Sequence, residues 1–353
     1  MKFHAEAQRR KAAKNWNPRL LSLCASAPLR ESFACIVLIA IAAQCALPIL
    51  AADRPAVLVV VGAEGAKEYA ESFREWASRW EKAAQEAHAD YLAIGLDEPN
   101  AKSDRDLLQE RLTSHTEPST EAIWLVLIGH GTYDGKTAKF GLRGPDVAPA
   151  ELAAWLKPIQ RPLAIIDCTS SSGPFLNELS APNRVVITAA RSGSEFNYSR
   201  FGDYISSAIT DPQADLDKDD QTSLLEAFLR ASSGVKEFYT SESRLATEHS
   251  LIDDNGDKLG TPADWFSGLR ATKTAKDGAT LDGLRASQMV LVRSPREEQL
   301  PAPIRIRRDE LERDLAAIRQ KKSKLPEDEY LASIEPILIE LSKLYESADP
   351  PPK

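Results

Sequence analysis

Residues 122–131 read AIWLVLIGHG, and residues 162–168 read PLAIIDC. Each is a short, continuously apolar run that ends abruptly at a glycine or an acid. Runs of this length, rich in Ile, Val and Leu with no polar alternation, predict strands covered on both faces. Three similar runs flank them: 56–61 (AVLVVV), 91–96 and 184–190 (RVVITAA). Between them lie helical segments at 65–88, 103–115 and 148–159. The first has Tyr69, Phe73, Trp76 and Trp80 spaced three to four apart, as one buried helix face requires. Ser103 supplies a cap for the second. Alternating strands and helices predict an α/β fold, a mostly parallel sheet with helices on both faces.

Right-handed crossovers then gather the C-terminal strand ends along one edge, where sites of such sheets form. His130 leaves the strand at 122–129 between two glycines. Cys168 ends the strand at 162–168 and is followed by Thr169, three serines and Gly173. Singly, the first reads equally as a glycine turn and the second as a small core residue. Together they form a thiol and an imidazole at neighbouring strand ends, the pair needed for nucleophilic acyl transfer. Cys168 is the expected nucleophile, favoured as thiolate if a helix begins near Ser171. His130 is the expected proton donor to the leaving amine. The N–H groups of Gly131 and Cys168 are the expected oxyanion donors. This chemistry needs no metal.

At these residues the sequence resembles the caspase-like cysteine peptidases, the group of caspases, metacaspases, gingipains and legumains. The resemblance rests on LVLIGHG (125–131) and LAIIDC (163–168), and spans roughly 56–244. It is closest to legumain-like members at Thr188-Ala189-Ala190-Arg191-Ser192-Gly193-Ser194-Glu195. It implies a caspase-like sheet, endopeptidase activity on peptide or protein substrates, and a narrow choice of residue before the cut. Related enzymes often carry an acid or Gln two positions before the cysteine. Here that position is Ile166 and the acid is Asp167, one step nearer and so on the opposite strand face. Asp167, Arg191 and Glu195 are the candidates for a specificity pocket. For the last two, a solvated loop charge is the competing reading. Two alternatives keep the same pair: a ligase passing the thioester to an amine, and a catalytically silent relative that binds peptide or calcium.

The rest of the chain bounds these readings. It has 353 residues, 43% hydrophobic and 27% charged, with a net charge of −8, which argues against a general nucleic-acid binder. Residues 1–52 begin with a basic stretch (Arg9, Arg10, Lys11, Lys14, Arg19, Arg30), followed by an apolar run over 33–50. This pattern predicts a secretory signal and an exported protein. If retained, the segment is a membrane anchor. Residues 53–300 then form the peptidase-like domain. With the signal removed, Cys168 is the only cysteine, so no internal disulfide forms.

Two acidic loops follow. Residues 215–226 offer calcium ligands at Asp215, Asp217, Asp219, Ser223 and Glu226, but Asp220 stands where a calcium loop has Gly. The competing reading makes Ser223 and Glu226 a helix capping box. Residues 253–257 read as a plain turn. A helix is expected from 223 to 239 and a late strand at 287–292. Residues 301–353 are expected to form a helical hairpin (308–321 and 327–346) with a disordered tail. Its seam would comprise Leu311, Leu315, Ile318, Leu331, Ile334, Ile337, Ile339 and Leu341.

Overall fold

The structure is a computed structural model that describes residues 54–98, 101–115, 117–276 and 279–348. Residues 1–52, expected to be a signal or anchor, and the expected C-terminal tail lie outside the described residues. Among those described, no helix is long and apolar enough to cross a membrane.

Seven strands form one sheet in the order β2-β1-β3-β6-β7-β8-β9. β1 (Ala56–Val61), β2 (Asp90–Ile94), β3 (Ile123–Ile128), β6 (Leu163–Asp167) and β7 (Arg184–Thr188) are parallel. The expected parallel core is therefore present. β8 (Leu251–Asp253) and β9 (Thr261–Pro262) extend it antiparallel. Between β3 and β6, β4 (Gly131–Tyr133) and β5 (Ala138–Phe140) form a small hairpin beyond the sheet edge. β10 (Phe266–Ser267) and β11 (Arg270–Ala271) form another.

Strand alternation divides the core into two layers. Val57, Val59, Trp124, Val126, Ala164, Ile166 and Val185 face α1 (Lys67–Glu86). The opposite residues, among them Leu58, Val60, Leu125 and Ile165, face α2 (Asp104–Ser114), α3 (Pro149–Leu156) and α4 (Gly173–Leu179). The first layer also receives α5 (Phe201–Ala208) and α6 (Leu224–Ser241). Both faces are thus covered, which is why these strands carry no polar alternation. Each large side chain withdrawn from water here contributes about 1.5–3 kcal/mol, and Trp80 and Trp124 are almost fully buried. Ser103 caps α2 as expected, its Oγ accepting from the Asp106 N–H.

Two expectations change. The apolar run at 287–292 is not a strand: α7 (Leu284–Gln288) occupies its start, and only Val290 bridges to Ser223. The run is too short and too near the capped start of α6 to add a strand. After α8 (Pro295–Gln299), the hairpin consists of α9 (Ala302–Gln320) and α10 (Glu327–Ala348). Its seam is Leu311 and Leu315 against Ile334, Ile337, Leu341 and Leu344, whereas Leu331 and Ile339 face outward. The hairpin is also pinned to the sheet domain. Arg305 pairs with Glu121 at 3.3 Å, and Gln288 donates to the Asp309 carbonyl and to Glu312.

Candidate active site

His130 leaves β3 through Gly129, and Gly131 opens β4. The imidazole stands edge-on to two rings of α1, Tyr69 at 4.9 Å and Phe73 at 5.3 Å between centroids. Its Nε2 lies 3.2 Å from the Glu64 carbonyl oxygen. A carbonyl only accepts, so this contact requires the proton on Nε2 and leaves Nδ1 as the basic nitrogen of the neutral ring.

Cys168 follows β6 on the adjacent strand. Its parity puts it on the face of Ile166 and Ile128, the same layer as Phe73 and Trp76. The rings of Phe73 and Trp76 are 5.4 Å apart. A side chain begun at Gly202 of α5 would lie 2.5 Å from the Trp76 ring and 3.0 Å from the Cys168 Cβ. Imidazole and thiol therefore flank one aromatic pair at one sheet edge. No hydrogen bond joins them among the described residues.

The expectation of a presented thiol is corrected. Cys168 is 1% exposed, covered by α1 and α5. Burial, and secondarily the neighbouring Asp167, pushes its pKa well above the ordinary thiol range, the reverse of thiolate stabilisation. The helix expected near Ser171 begins at Gly173. The oxyanion assignment is corrected as well. The Cys168 N–H continues the β-ladder to the Leu127 carbonyl at 2.9 Å. The Gly131 N–H donates to Ser170 Oγ at 3.3 Å, and that hydroxyl donates back to the Gly131 carbonyl.

The serines after Cys168 are stitches rather than spacers. Ser170 binds Gly131, and Ser172 Oγ accepts from the Ala190 N–H at 2.9 Å. Ser171 sits at φ 57°, a left-handed value costly for serine. Its N–H donates to the Glu195 carbonyl, and its buried Oγ has no partner among the described residues. Asp167 Oδ2 and Thr188 Oγ1, on residues paired across β6 and β7, are likewise buried without partners. Buried polar atoms are seldom left so, and three gather at this edge. Gly131 must be glycine, because a β-carbon there would collide with the Ser170 carbonyl.

The pocket candidates separate. Asp167 is fully buried, with Oδ1 accepting from the Thr169 N–H at 3.0 Å and hydroxyl at 2.6 Å. It lines no open pocket, and burial raises its pKa to about 7. Arg191 is a largely exposed loop charge, whereas the Glu195 side chain is 11% exposed. Glu195 accepts from the Arg191 and His249 N–H groups and lies 2.6 Å from His249 Nδ1. Glu195 and His249 are 54 residues apart in the chain, so no local pattern marks the pair. The antiparallel return of β8 along β7 brings the two together. On the other side of His130, a cavity of about 360 Å³ opens at the ends of β1 and β2, lined by Glu64, Gly65, Phe73, Arg74 and Arg143 among others.

In the acidic loop, Asp215, Asp217 and Asp219 bring carboxylate oxygens within 4.8 Å of one another and could hold a cation. Burial, then the three neighbouring carboxylates, raises the Asp217 pKa to about 6. Ser223 and Glu226 are otherwise engaged. They form the capping box of α6, and Glu226 also accepts from the Leu216 and Asp217 N–H groups. Asp220 adopts the left-handed conformation at φ 67°. The turn at 253–257 is held by Asp253 accepting from the Gly256 and Lys258 N–H groups.

No protein-family model matches the sequence, and no curated protein does. Among solved structures, the Drosophila initiator caspase Dronc is similar at a TM-score of 0.39 and 17% identity, covering 57% of this chain and 80% of that one. Caspase-1 from Spodoptera frugiperda gives 0.37 and 9%, covering 57% and 86%. Raptor from Chaetomium thermophilum gives 0.31 and 10%, covering 46% of this chain and 18% of that one. These likenesses concern the fold, and the chemistry has to come from the chain's own residues.

Proposed function

We propose that the chain is a latent cysteine endopeptidase, with His130 and Cys168 as its working pair and a resting state in which the thiol is covered. The observation that carries this reading is the placement of both groups on one face of adjacent strand ends, around Phe73 and Trp76. The orphaned polar atoms and the left-handed Ser171 beside them support it, because strain and unmet hydrogen bonds collect where a fold serves a site. Arming requires α5, with Gly202, to withdraw from Cys168. His130 Nδ1 then takes the thiol proton, the sulfur attacks the scissile carbonyl, and the imidazole returns that proton to the leaving amine. Water hydrolyses the resulting thioester. An added amine that captures the thioester would instead mark a ligase.

A second reading, a silent relative that binds peptide at the same edge, is favoured by the burial of Cys168. Thiol labelling separates the two. A peptide bearing a thiol-reactive electrophile is expected to modify Cys168 faster than iodoacetamide does, and Cys168→Ala to abolish turnover of a fluorogenic peptide panel. Peptide binding without turnover, unchanged in Cys168→Ala, would leave only the second. The panel is run with and without calcium because of Asp215, Asp217 and Asp219. We further propose that residues 1–52 direct export, which cell fractionation and N-terminal sequencing of the native protein test.

A further inference from the structure

At the opposite end of the sheet, where β3 and β6 begin, lies a second cavity of about 320 Å³ between the sheet domain and α9. Four arginines line it: Arg285, Arg293, Arg305 and Arg313. Its only acidic lining residues are Glu121 and Asp309. Both acids are already claimed. Glu121 pairs with Arg293 at 2.6 Å and Arg305 at 3.3 Å, and Asp309 with Arg308 at 2.8 Å.

Arg285 and Arg313 are left over. Among the described residues neither has a carboxylate within ion-pair distance. Arg285 reaches only the Asn183 side-chain carbonyl through Nη1, and its Nε is buried with no acceptor. Arg313 reaches only Gln288 Oε1. The two cations also repel each other: after burial, the field of Arg313 is the next cause that lowers the Arg285 pKa. Asp254 acts on Arg285 and Asp309 on Arg313 only from beyond ion-pair distance, and two half-buried guanidiniums with no direct carboxylate partner are costly unless a ligand supplies one. The planar fork of arginine matches phosphate oxygens in pairs. The volume exceeds that of one inorganic ion and suits a small molecule.

We propose that this cavity is a binding site for a small phosphate-bearing molecule, held by Arg285 and Arg313 with Arg293 and Arg305 at its border. Arg285 belongs to α7, and Arg305 and Arg313 to α9. An occupant would therefore tie the helical hairpin to the sheet domain, away from the edge that carries His130.

The test uses the full chain at constant ionic strength set with sodium chloride. Thermal unfolding and calorimetric titration are followed with inorganic phosphate, pyrophosphate, ADP and citrate. Pyrophosphate or ADP is expected to raise Tm saturably. A response to pyrophosphate alone points to a free phosphate compound, and a stronger response to ADP to a nucleotide. Arg285→Gln and Arg313→Gln are each expected to weaken binding about tenfold or more, as loss of a charged hydrogen bond implies. Arg270→Gln, on an exposed hairpin, should bind as the parent does. If Arg285→Gln fails to fold, the comparison of Arg313→Gln with Arg313→Lys decides, the lysine, which keeps the charge without the fork, binding more weakly than the parent and more tightly than the glutamine. No saturable response to any phosphate probe overturns the proposal. So does an equal response in Arg313→Gln, or a response to citrate as strong as to pyrophosphate.

Discussion

Replacing Asp167 by Asn should change how stability depends on pH, with little effect on the fold. The carboxyl is fully buried at the end of β6, and burial, opposed only by two hydrogen bonds from Thr169, raises its pKa to about 7. In the unfolded chain it ionises near pH ~4. Between these values the unfolded state gives up a proton that the folded state keeps. Stability therefore falls as pH rises from about 4 to 7, and levels off above. At 1.36 kcal/mol per pH unit the full fall is roughly 4 kcal/mol. Asn removes this titration. It keeps the acceptor for Thr169 but turns an amide N–H toward the place where Oδ2 has no partner, at a cost of about 1–3 kcal/mol. The variant should thus be less stable than the parent at pH 4, and at pH 7.5 about 1–3 kcal/mol more stable. Urea unfolding at half-unit pH steps measures this. Other buried acids with raised pKa values, such as Asp253 and Glu248, steepen both curves alike, so the difference between them isolates Asp167. A difference that stays constant across pH would refute the reasoning.

Gly131→Ala forces a β-carbon against the Ser170 carbonyl. It should cost about 1–3 kcal/mol in chemical unfolding and displace the loop carrying Ser171, visible as a lost contact in a crystal structure. Ser223→Ala removes one half of the capping box and should lower stability by about 1 kcal/mol. Glu226→Ala should cost more, because it strands the N–H groups of Leu216 and Ser223; equal losses would contradict the buried role of Glu226. Cys168→Ser places a hydroxyl in an apolar layer and should destabilise by about 1–3 kcal/mol. Cys168→Ala, which only shortens the side chain, should cost less, and the reverse order would mean that the thiol is not packed as described.

The sheet was legible because β1, β3, β6 and β7 are apolar on both faces, a pattern that solvent-facing segments do not show. β8 and β9 were not, since two or three residues inside a polar stretch carry no period to read. The apolar run at 287–292 misled for the opposite reason. It is hydrophobic because it packs under α6 and the hairpin, and not because it pairs along a strand. His130 could be placed from sequence because its position depends only on where β3 stops and on the glycines beside it. Its Nε2 contact and the Glu195–His249 pair depend on segments distant in sequence that converge only after folding.

The cover over Cys168 is of that distant kind, and it decides how the site is to be understood. The residues around the thiol gave a local reading of exposure: a strand end, a threonine, three serines and a glycine. What seals it is Trp76 on a helix before it and Gly202 on a helix after it, and the serines turn inward because Gly131 and Ala190 need their hydroxyls. Local sequence therefore fixed which edge the sulfur occupies, and tertiary packing fixed whether it meets solvent. For a nucleophile the second property is an opening equilibrium. Every 1.4 kcal/mol of opening free energy lowers the reactive fraction about tenfold. A cover costing about 4 kcal/mol to lift would leave roughly one molecule in a thousand labelling-competent at any instant. A small alkylating agent samples that same open form, so its rate at Cys168 in the folded chain relative to the urea-unfolded chain measures the cover directly.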